Sequence, residues 1–100
     1  LDKYSLKIMP KAYRDLDELY TYIAIHIGAE DLADNLINEI EKAIFTLDFM
    51  PNRYEERLIG NYGGKGYRQF FIKNYVIVYR VVEEKKNVLI VTIRYKTSDF

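Results

Sequence analysis

Two periodicities divide the 100-residue chain. Near the N-terminus, Tyr4-Ser5-Leu6-Lys7-Ile8 alternates apolar and polar positions, the period of a half-buried strand. Pro10 then suits the first turn of a helix, where its missing N–H costs nothing. Ala12, Leu16, Leu19, Ile23 and Ile27 follow at steps of four, three, four and four, one stripe of a helix that ends near Gly28. Glu30 or Asp31 opens a second helix, with a stripe of Leu32, Leu36, Ile40, Ala43 or Ile44, and Leu47, stopped before Pro51. The short connection at Gly28 predicts an antiparallel helix pair.

Residues 51–66, PNRYEERLIGNYGGKG, carry four of the five glycines and no sustained period, so they read as a surface loop of the kind that often carries function. Three strand-like runs follow: Tyr67 to Ile72, Tyr75 to Val82 and Val88 to Tyr95. Lys73-Asn74 is a two-residue hairpin turn and Glu83 to Asn87 a polar one. The expected fold is α+β, β-α-α-β-β-β, one domain over residues 1–100 with a helical hairpin on one face of a mostly antiparallel four-stranded sheet.

Register assigns the faces. The first turn sets Ile72 opposite Tyr75, Phe70 opposite Ile77 and Arg68 opposite Tyr79. A second turn centred on Lys85 sets Val81 opposite Leu89, Tyr79 opposite Val91 and Ile77 opposite Ile93. One face then collects Arg68, Phe70, Ile72, Tyr75, Ile77, Tyr79, Val81, Leu89, Val91, Ile93 and Tyr95, nearly all apolar, and takes the helices. The other collects Tyr67, Gln69, Phe71, Val76, Val78, Arg80, Val82, Val88, Ile90, Thr92 and Arg94. The mixed character of this second face fits solvation, but bulky apolar residues rimmed by cations mark a contact surface.

Composition narrows the chemistry. With 49% hydrophobic and 30% charged residues the chain is a folding sequence rather than a disordered one. It has no cysteine, which excludes disulfides, thiolate metal sites and a cysteine nucleophile, and its single histidine makes a metal site unexpected. No cofactor is expected. No run approaches a membrane span, so no membrane contact and a cytoplasmic location are expected; the start at Leu1 rather than methionine reads as a trimmed end. Net charge is zero, yet residues 1–50 hold 5 Lys/Arg against 10 Asp/Glu and residues 51–100 the reverse. The basic half suits an anionic partner, or the two halves simply pack on each other.

The segments MPKAYRDLDELYTYIA, LADNLINEIEKAIFTLDFMP and YRQFFIKNYVIVYRVVEEKKNVLIVTIRY together resemble the RelE/ParE superfamily of toxins from type II toxin–antitoxin systems, over nearly the whole chain and in the same order. The resemblance implies a growth-inhibiting toxin of the kind linked to plasmid stabilisation, neutralised by a cognate antitoxin, and it leaves room for a homodimer. In the RelE-like branch, cations on the free sheet face and a C-terminal tyrosine or histidine region support mRNA cleavage on the ribosome, which needs charge neutralisation and a proton acceptor. Here Gln69, Phe71 and Val76 stand where that branch carries cations. The ParE-like branch inhibits DNA gyrase by binding. RYKTSDF resembles its ending without the paired arginines, and near-neutral charge fits it better than a seat among RNA phosphates.

The residues expected to meet target or antitoxin are Tyr67, Arg68, Gln69, Phe71, Val78, Arg80, Ile90, Arg94 and Lys96, with Phe71, Val78 and Ile90 as apolar anchors. In a ribonuclease, Arg80, Arg94 and Lys96 would be the catalytic candidates, with Lys65 and Lys73 near strand ends. His26 reads as a solvated helix-end residue, and Tyr95 as packing. Of the ten tyrosines, Tyr62 and Tyr67 are the ones placed for stacking. If Arg68 lies under the helices, Asp15, Asp17 or Glu18 should pair with it. Ser98, Asp99 and Phe100 form a tail of the kind that reaches the active face in this superfamily.

Overall fold

The computed structural model describes residues 3–97 and residue 100. Strand β1 (Ser5–Ile8) leads into helix α1 (Pro10–Thr21), continued by a π turn over Tyr22–His26, and then helix α2 (Glu30–Phe45). After short 3-10 turns and a loop come β2 (Arg68–Ile72), β3 (Tyr75–Val82) and β4 (Asn87–Tyr95). The sheet order is β1-β4-β3-β2, antiparallel except for β1, which runs parallel to β4. The α+β class and the order of elements are therefore as the hydrophobic pattern predicts. No described helix is long and apolar enough to cross a membrane.

Both helical stripes are displaced at one position, for local reasons. In the π turn the N–H of Ile27 bonds the Tyr22 carbonyl at 3.0 Å, a five-residue step that inserts an extra residue into the turn. Ile23 and Ala24 are consequently both buried, and Ile27, expected on the stripe, is 55% exposed. Gly28 at φ 80 ends the helix, letting the Ala29 N–H turn back to the Ile23 carbonyl. Helix α2 buries Ala33, Leu36, Ile40 and Ile44, continued by Leu47, so Ala33 takes the place expected of Leu32, which points outward. Glu30 and Asp31 lie in its first turn, where the helix dipole favours them.

The first hairpin has the expected register, Arg68 opposite Tyr79 through Ile72 opposite Tyr75, with Lys73 at φ 51 in the turn. The second does not keep one register. Tyr75 faces Tyr95 and Ile77 faces Ile93 as expected, but Val78 faces Thr92 while Tyr79 faces Ile90, so Val91 is an extra residue in β4. Beyond this bulge the pairing is shifted by one and Val81 faces Val88. A one-residue shift exchanges faces. Val88 and Ile90, expected on the free face, are fully buried in the helix-covered core, and Leu89 and Val91, expected beneath the helices, are only half-buried.

The bulge lies where β1 stops pairing, since β1 covers β4 only from Asn87 to Ile90. There α1 takes over the open edge. The Asp15 carboxylate accepts the Ile93 N–H at 3.1 Å and the Thr92 hydroxyl at 2.5 Å, and Lys11 Nζ donates to its other oxygen at 2.8 Å. Asp15 is thus engaged with β4 and not with Arg68, correcting that expectation; Arg68 instead donates to the Tyr54 carbonyl at 2.7 Å. The core between helices and sheet includes Leu16, Ile40, Ile44, Phe70, Ile77 and Tyr79. The Tyr79 hydroxyl donates to the Pro51 carbonyl at 2.5 Å, and Tyr54 stacks on Phe70 at 4.6 Å, tying the loop after α2 to the same core.

Two consequences are measurable. Asp15→Ala leaves the Ile93 N–H without its acceptor and should cost about 1–3 kcal/mol in urea unfolding, with Asp15→Asn losing less. Burial pushes the Tyr79 phenol up from 10.0 to about 12. The folded state therefore holds that proton more tightly, and the stability it contributes is intact below pH 10 and lost as pH rises to about 12. The urea midpoint should fall through that window in the wild type and fall less in Tyr79→Phe.

Candidate macromolecular interface on the free sheet face

Alternation places the side chains of Gln69, Phe71, Val76, Val78, Arg80, Leu89 and Arg94 on the face away from the helices. Since Leu6 and Ile8 pack on the core, Lys7, paired with Leu89, falls on this face too. One row across the sheet is Lys7, Leu89 and Arg80, with Tyr67 beyond; another is Arg94, Val76 and Phe71. The rows lie four residues apart along β3, about 13 Å. Two cationic positions are thereby separated by an apolar middle.

That middle is covered. Val76 and Val78 are 1% and 0% exposed, although both lie outside the core cluster under the helices. Their neighbours across the ladder, Gln69 and Arg94, carry the cover. The segment Glu55 to Arg57 runs along the outer edge of β2: Gln69 N–H donates to the Glu55 carbonyl at 3.0 Å and Arg57 N–H to the Tyr67 carbonyl at 2.8 Å. This delivers the Arg57 side chain onto the sheet, where Nη1 donates to Gln69 Oε1 at 2.8 Å. Glu55 accepts from Gln69 Nε2, so the amide orients the guanidinium and is itself held.

Arg57 is 5% exposed, its Nε has no partner among the described residues, and desolvation pushes its pKa down. Its guanidinium lies over the Phe100 ring, 4.1 Å from the centroid, and that of Arg94 lies 4.7 Å from the same centroid. Tyr62 meets Phe100 edge-on at 6.2 Å and Tyr67 at 5.0 Å, and Arg80 sits 5.4 Å from the Tyr67 centroid. Guanidinium groups and rings form a continuous strip across the face, each contact worth about 0.5–2 kcal/mol according to its exposure.

Placement of the expected site residues is uneven. Arg80 is exposed and Arg94 half-buried on the free face, as are Tyr67 and Gln69 at its edge, and Phe71 is 48% exposed. Lys96 is exposed just past β4. Val78 and Ile90 are not available as anchors: both are fully buried, the second in the core. Arg68 lies on the helix side against Tyr54. Lys73 pairs with Glu39 at 3.7 Å, and His26 is exposed beside Tyr22 on the helical side. Tyr95, expected as packing, is 44% exposed and meets Tyr75 edge-on at 5.4 Å. Ser98 and Asp99 fall outside the described residues.

Sequence reasoning missed Arg57, Lys7 and the role of Phe100. Lys7 was legible from its alternation with Leu6 and Ile8 once β1 is seated beside β4; Arg57 lies in an aperiodic loop that gives no such cue. Among the described residues, no group of three or more His, Asp or Glu is placed to hold a metal ion.

A second surface lies at the end of the sheet near the Lys73-Asn74 turn. A groove of about 850 Å3 opens between the helices and that turn, with Leu19, Ile23, Leu36, Ile93 and Tyr95 lining it, Asp15, Glu18 and Glu39 as its acids and Lys73 and Arg94 as its cations. Tyr22, Ile27 and Leu32 stand partly exposed along it.

The apolar cover over Val76 and Val78 is open to a direct test. Arg57→Ala removes the packing and the donor to Gln69 and should lower stability by about 1–3 kcal/mol. Arg57→Met, which keeps apolar volume without a charge to desolvate, should stay within about 1 kcal/mol of wild type in the same urea titration.

Comparison with known proteins agrees with this geometry. The solved structure of a chromosomal ParDE toxin–antitoxin system from P. aeruginosa superposes with a TM-score of 0.76 at 24% identity, over 93% of this chain and 96% of that one. A RelBE toxin–antitoxin complex from Mycobacterium tuberculosis gives 0.65 at 20% identity, over 93% and 98% of the two chains. The isolated RelE toxin of E. coli gives 0.65 at 15% identity, over 96% and 87%. These likenesses show a shared fold. Comparison with curated protein sequences finds no match. The model of the family described as ParE toxin of type II toxin-antitoxin system, parDE, matches residues 6–100. On that match over nearly its whole length, the chain belongs to the ParE toxin family of type II toxin–antitoxin systems.

Proposed function

We propose that this toxin arrests growth by binding DNA gyrase through its free sheet face, without catalysing a reaction, and that a cognate antitoxin neutralises it. The observation carrying this reading is the state of the guanidinium groups. Arg57 and Arg94 face an aromatic ring and Arg80 faces another, and among the described residues none is hydrogen-bonded to a side-chain carboxylate or an imidazole, Arg57 donating to Gln69 Oε1 and to the Phe100 main-chain oxygen. RNA cleavage needs a proton acceptor beside the cations that neutralise the phosphate. A binding surface needs only cations, rings and exposed apolar area, which this face supplies.

For the antitoxin, the exposed apolar anchors are Phe71 on the β2 edge and the groove beyond the Lys73-Asn74 turn, which together replace Val78 and Ile90 in that role. An extended or helical antitoxin segment that crosses this end of the sheet would bury Phe71 and lay a basic residue against Glu18. The ParDE and RelBE structures with the same fold are of toxin–antitoxin systems, which supports a partner of this kind.

Purified protein should block supercoiling by gyrase and leave ribosome-bound mRNA intact. Arg80→Ala and Arg94→Ala should each weaken the block about tenfold or more, as expected for charged contacts at the centre of an interface. Codon-dependent mRNA cuts with supercoiling unaffected would replace this reading with the ribonuclease one. Tight association with the product of a neighbouring reading frame and no growth arrest at any expression level would mark a binding module. Phe71→Glu should weaken antitoxin capture and leave the fold intact.

A further inference from the structure

The bulge at Val91 shapes the free sheet face as well as the core. It turns Leu89 and Val91 away from the helices, and both line a hollow of about 530 Å3 together with Met9, Tyr67, Arg80 and Val82. Its apolar floor of Met9, Val82, Leu89 and Val91 is half-buried, and the volume is that of a ligand-sized cleft.

Cations flank this floor. Leu89 pairs with Arg80 on β3 and with Lys7 on β1, so an exposed cation stands on either side of it, the two strands about 10 Å apart and within joint reach of two long side chains. Arg80 lies 5.4 Å from the Tyr67 ring centroid, and no side-chain carboxylate among the described residues bonds Arg80 or Lys7. The hollow's own acids are placed elsewhere. Glu83 accepts from Tyr4 at 3.0 Å, Asn52 at 3.1 Å and Lys86 at 3.4 Å, and Glu84 is exposed in the turn. These two acids discriminate between anions: a polyphosphate strand laid across the hollow would run past both and be repelled, whereas a single carboxylate can sit between Arg80 and Lys7.

We propose that this hollow is the anchor pocket of the target-binding face: it takes one apolar side chain of the gyrase polypeptide over Leu89 and Val91, and the neighbouring carboxylate of the same segment between Arg80 and Lys7. The assignment deepens the gyrase-binding reading and rests on it for the partner. Its chemistry is tested on the chain alone.

Hexanoate is the probe, with hexylammonium and the dinucleotide uridylyl-adenosine beside it, each followed through the methyl resonances of Met9, Leu89 and Val91. Hexanoate should give saturable shifts at all three, and the other two compounds none. Arg80→Ala and Lys7→Glu should each weaken hexanoate about fivefold or more, as loss of a charge-assisted contact predicts, and Arg14→Ala, exposed on α1, should change nothing. No saturable shift at these methyls, or equal shifts with hexylammonium, would overturn the pocket. Competition by the dinucleotide would replace the protein ligand with a nucleic acid.

Gyrase separates the pocket from the wider reading. Lys7→Glu should raise the concentration needed to block supercoiling about tenfold, with its urea midpoint unchanged, and Leu89→Gln should do the same through the floor. A block at wild-type concentration by both variants would overturn the anchor and leave the gyrase reading in place. Gyrase untouched by the wild type would sink that reading, while the hexanoate result would still decide whether the hollow binds an apolar carboxylate.

Discussion

The faces of this sheet depend on a single extra residue, Val91, and on the carboxylate that holds the strand around it. Before the bulge, β4 presents Val88 and Ile90 to the helices; after it, Ile93. A regular ladder would have sent Val88 and Ile90 outward and drawn Leu89 and Val91 in. The bulge sits where β1 ends, at an edge whose N–H would otherwise have no acceptor, and Asp15 supplies one from α1. An unmade buried hydrogen bond costs about as much as a sizeable core contact. The junction of α1 and β4 therefore sets register as much as side-chain hydrophobicity does.

The two faces serve different ends. Beneath the helices, Tyr79 is fully buried with its phenol bonded to Pro51, and the core extends through Phe70 into the loop that follows α2. That anchorage directs the loop along β2 and over the opposite face, where Arg57 arrives. A loop that starts in one layer and ends on the other couples core and candidate interface. It also explains how Val76 and Val78 can be dry on the side without helices.

Cations on the free face are managed by rings more than by carboxylates. Arg94, Arg57 and Arg80 each lie over an aromatic ring, and the carboxylate of Glu55 reaches the strip only through Gln69. Such contacts hold a guanidinium in place while leaving its donors for another acceptor. A surface built this way suits a protein partner that brings its own carboxylates. At the far end, the groove beside the β2–β3 turn is of mixed charge, lined by Asp15, Glu18 and Glu39 together with Lys73 and Arg94, and Lys73 pairs with Glu39.

The sequence by itself determined the elements and the first hairpin: strand alternation, helix stripes, Pro10, Gly28 and the Lys73-Asn74 turn are local signals, and each acts through neighbours a few residues away. It also placed Arg80 and Arg94 opposite the helices: Arg94 lies on the side of the bulge where the expected pairing holds, and Arg80 lies on β3, whose own alternation the extra residue in β4 does not disturb. Ile90, Val88, Leu89 and Val91 were misassigned because a bulge has no local mark in an all-apolar run; Val or Ile fits either face. Ile27 and Leu32 were misplaced by a π turn and a one-residue rotation that only packing selects. Tertiary structure alone decided that Arg57 leaves an aperiodic loop to lie on Gln69, that Phe100 returns to meet it, and that Asp15 serves β4 and not Arg68. Those are contacts between residues far apart in the chain, and their energy comes from shared desolvation and hydrogen bonding that no short window of sequence contains.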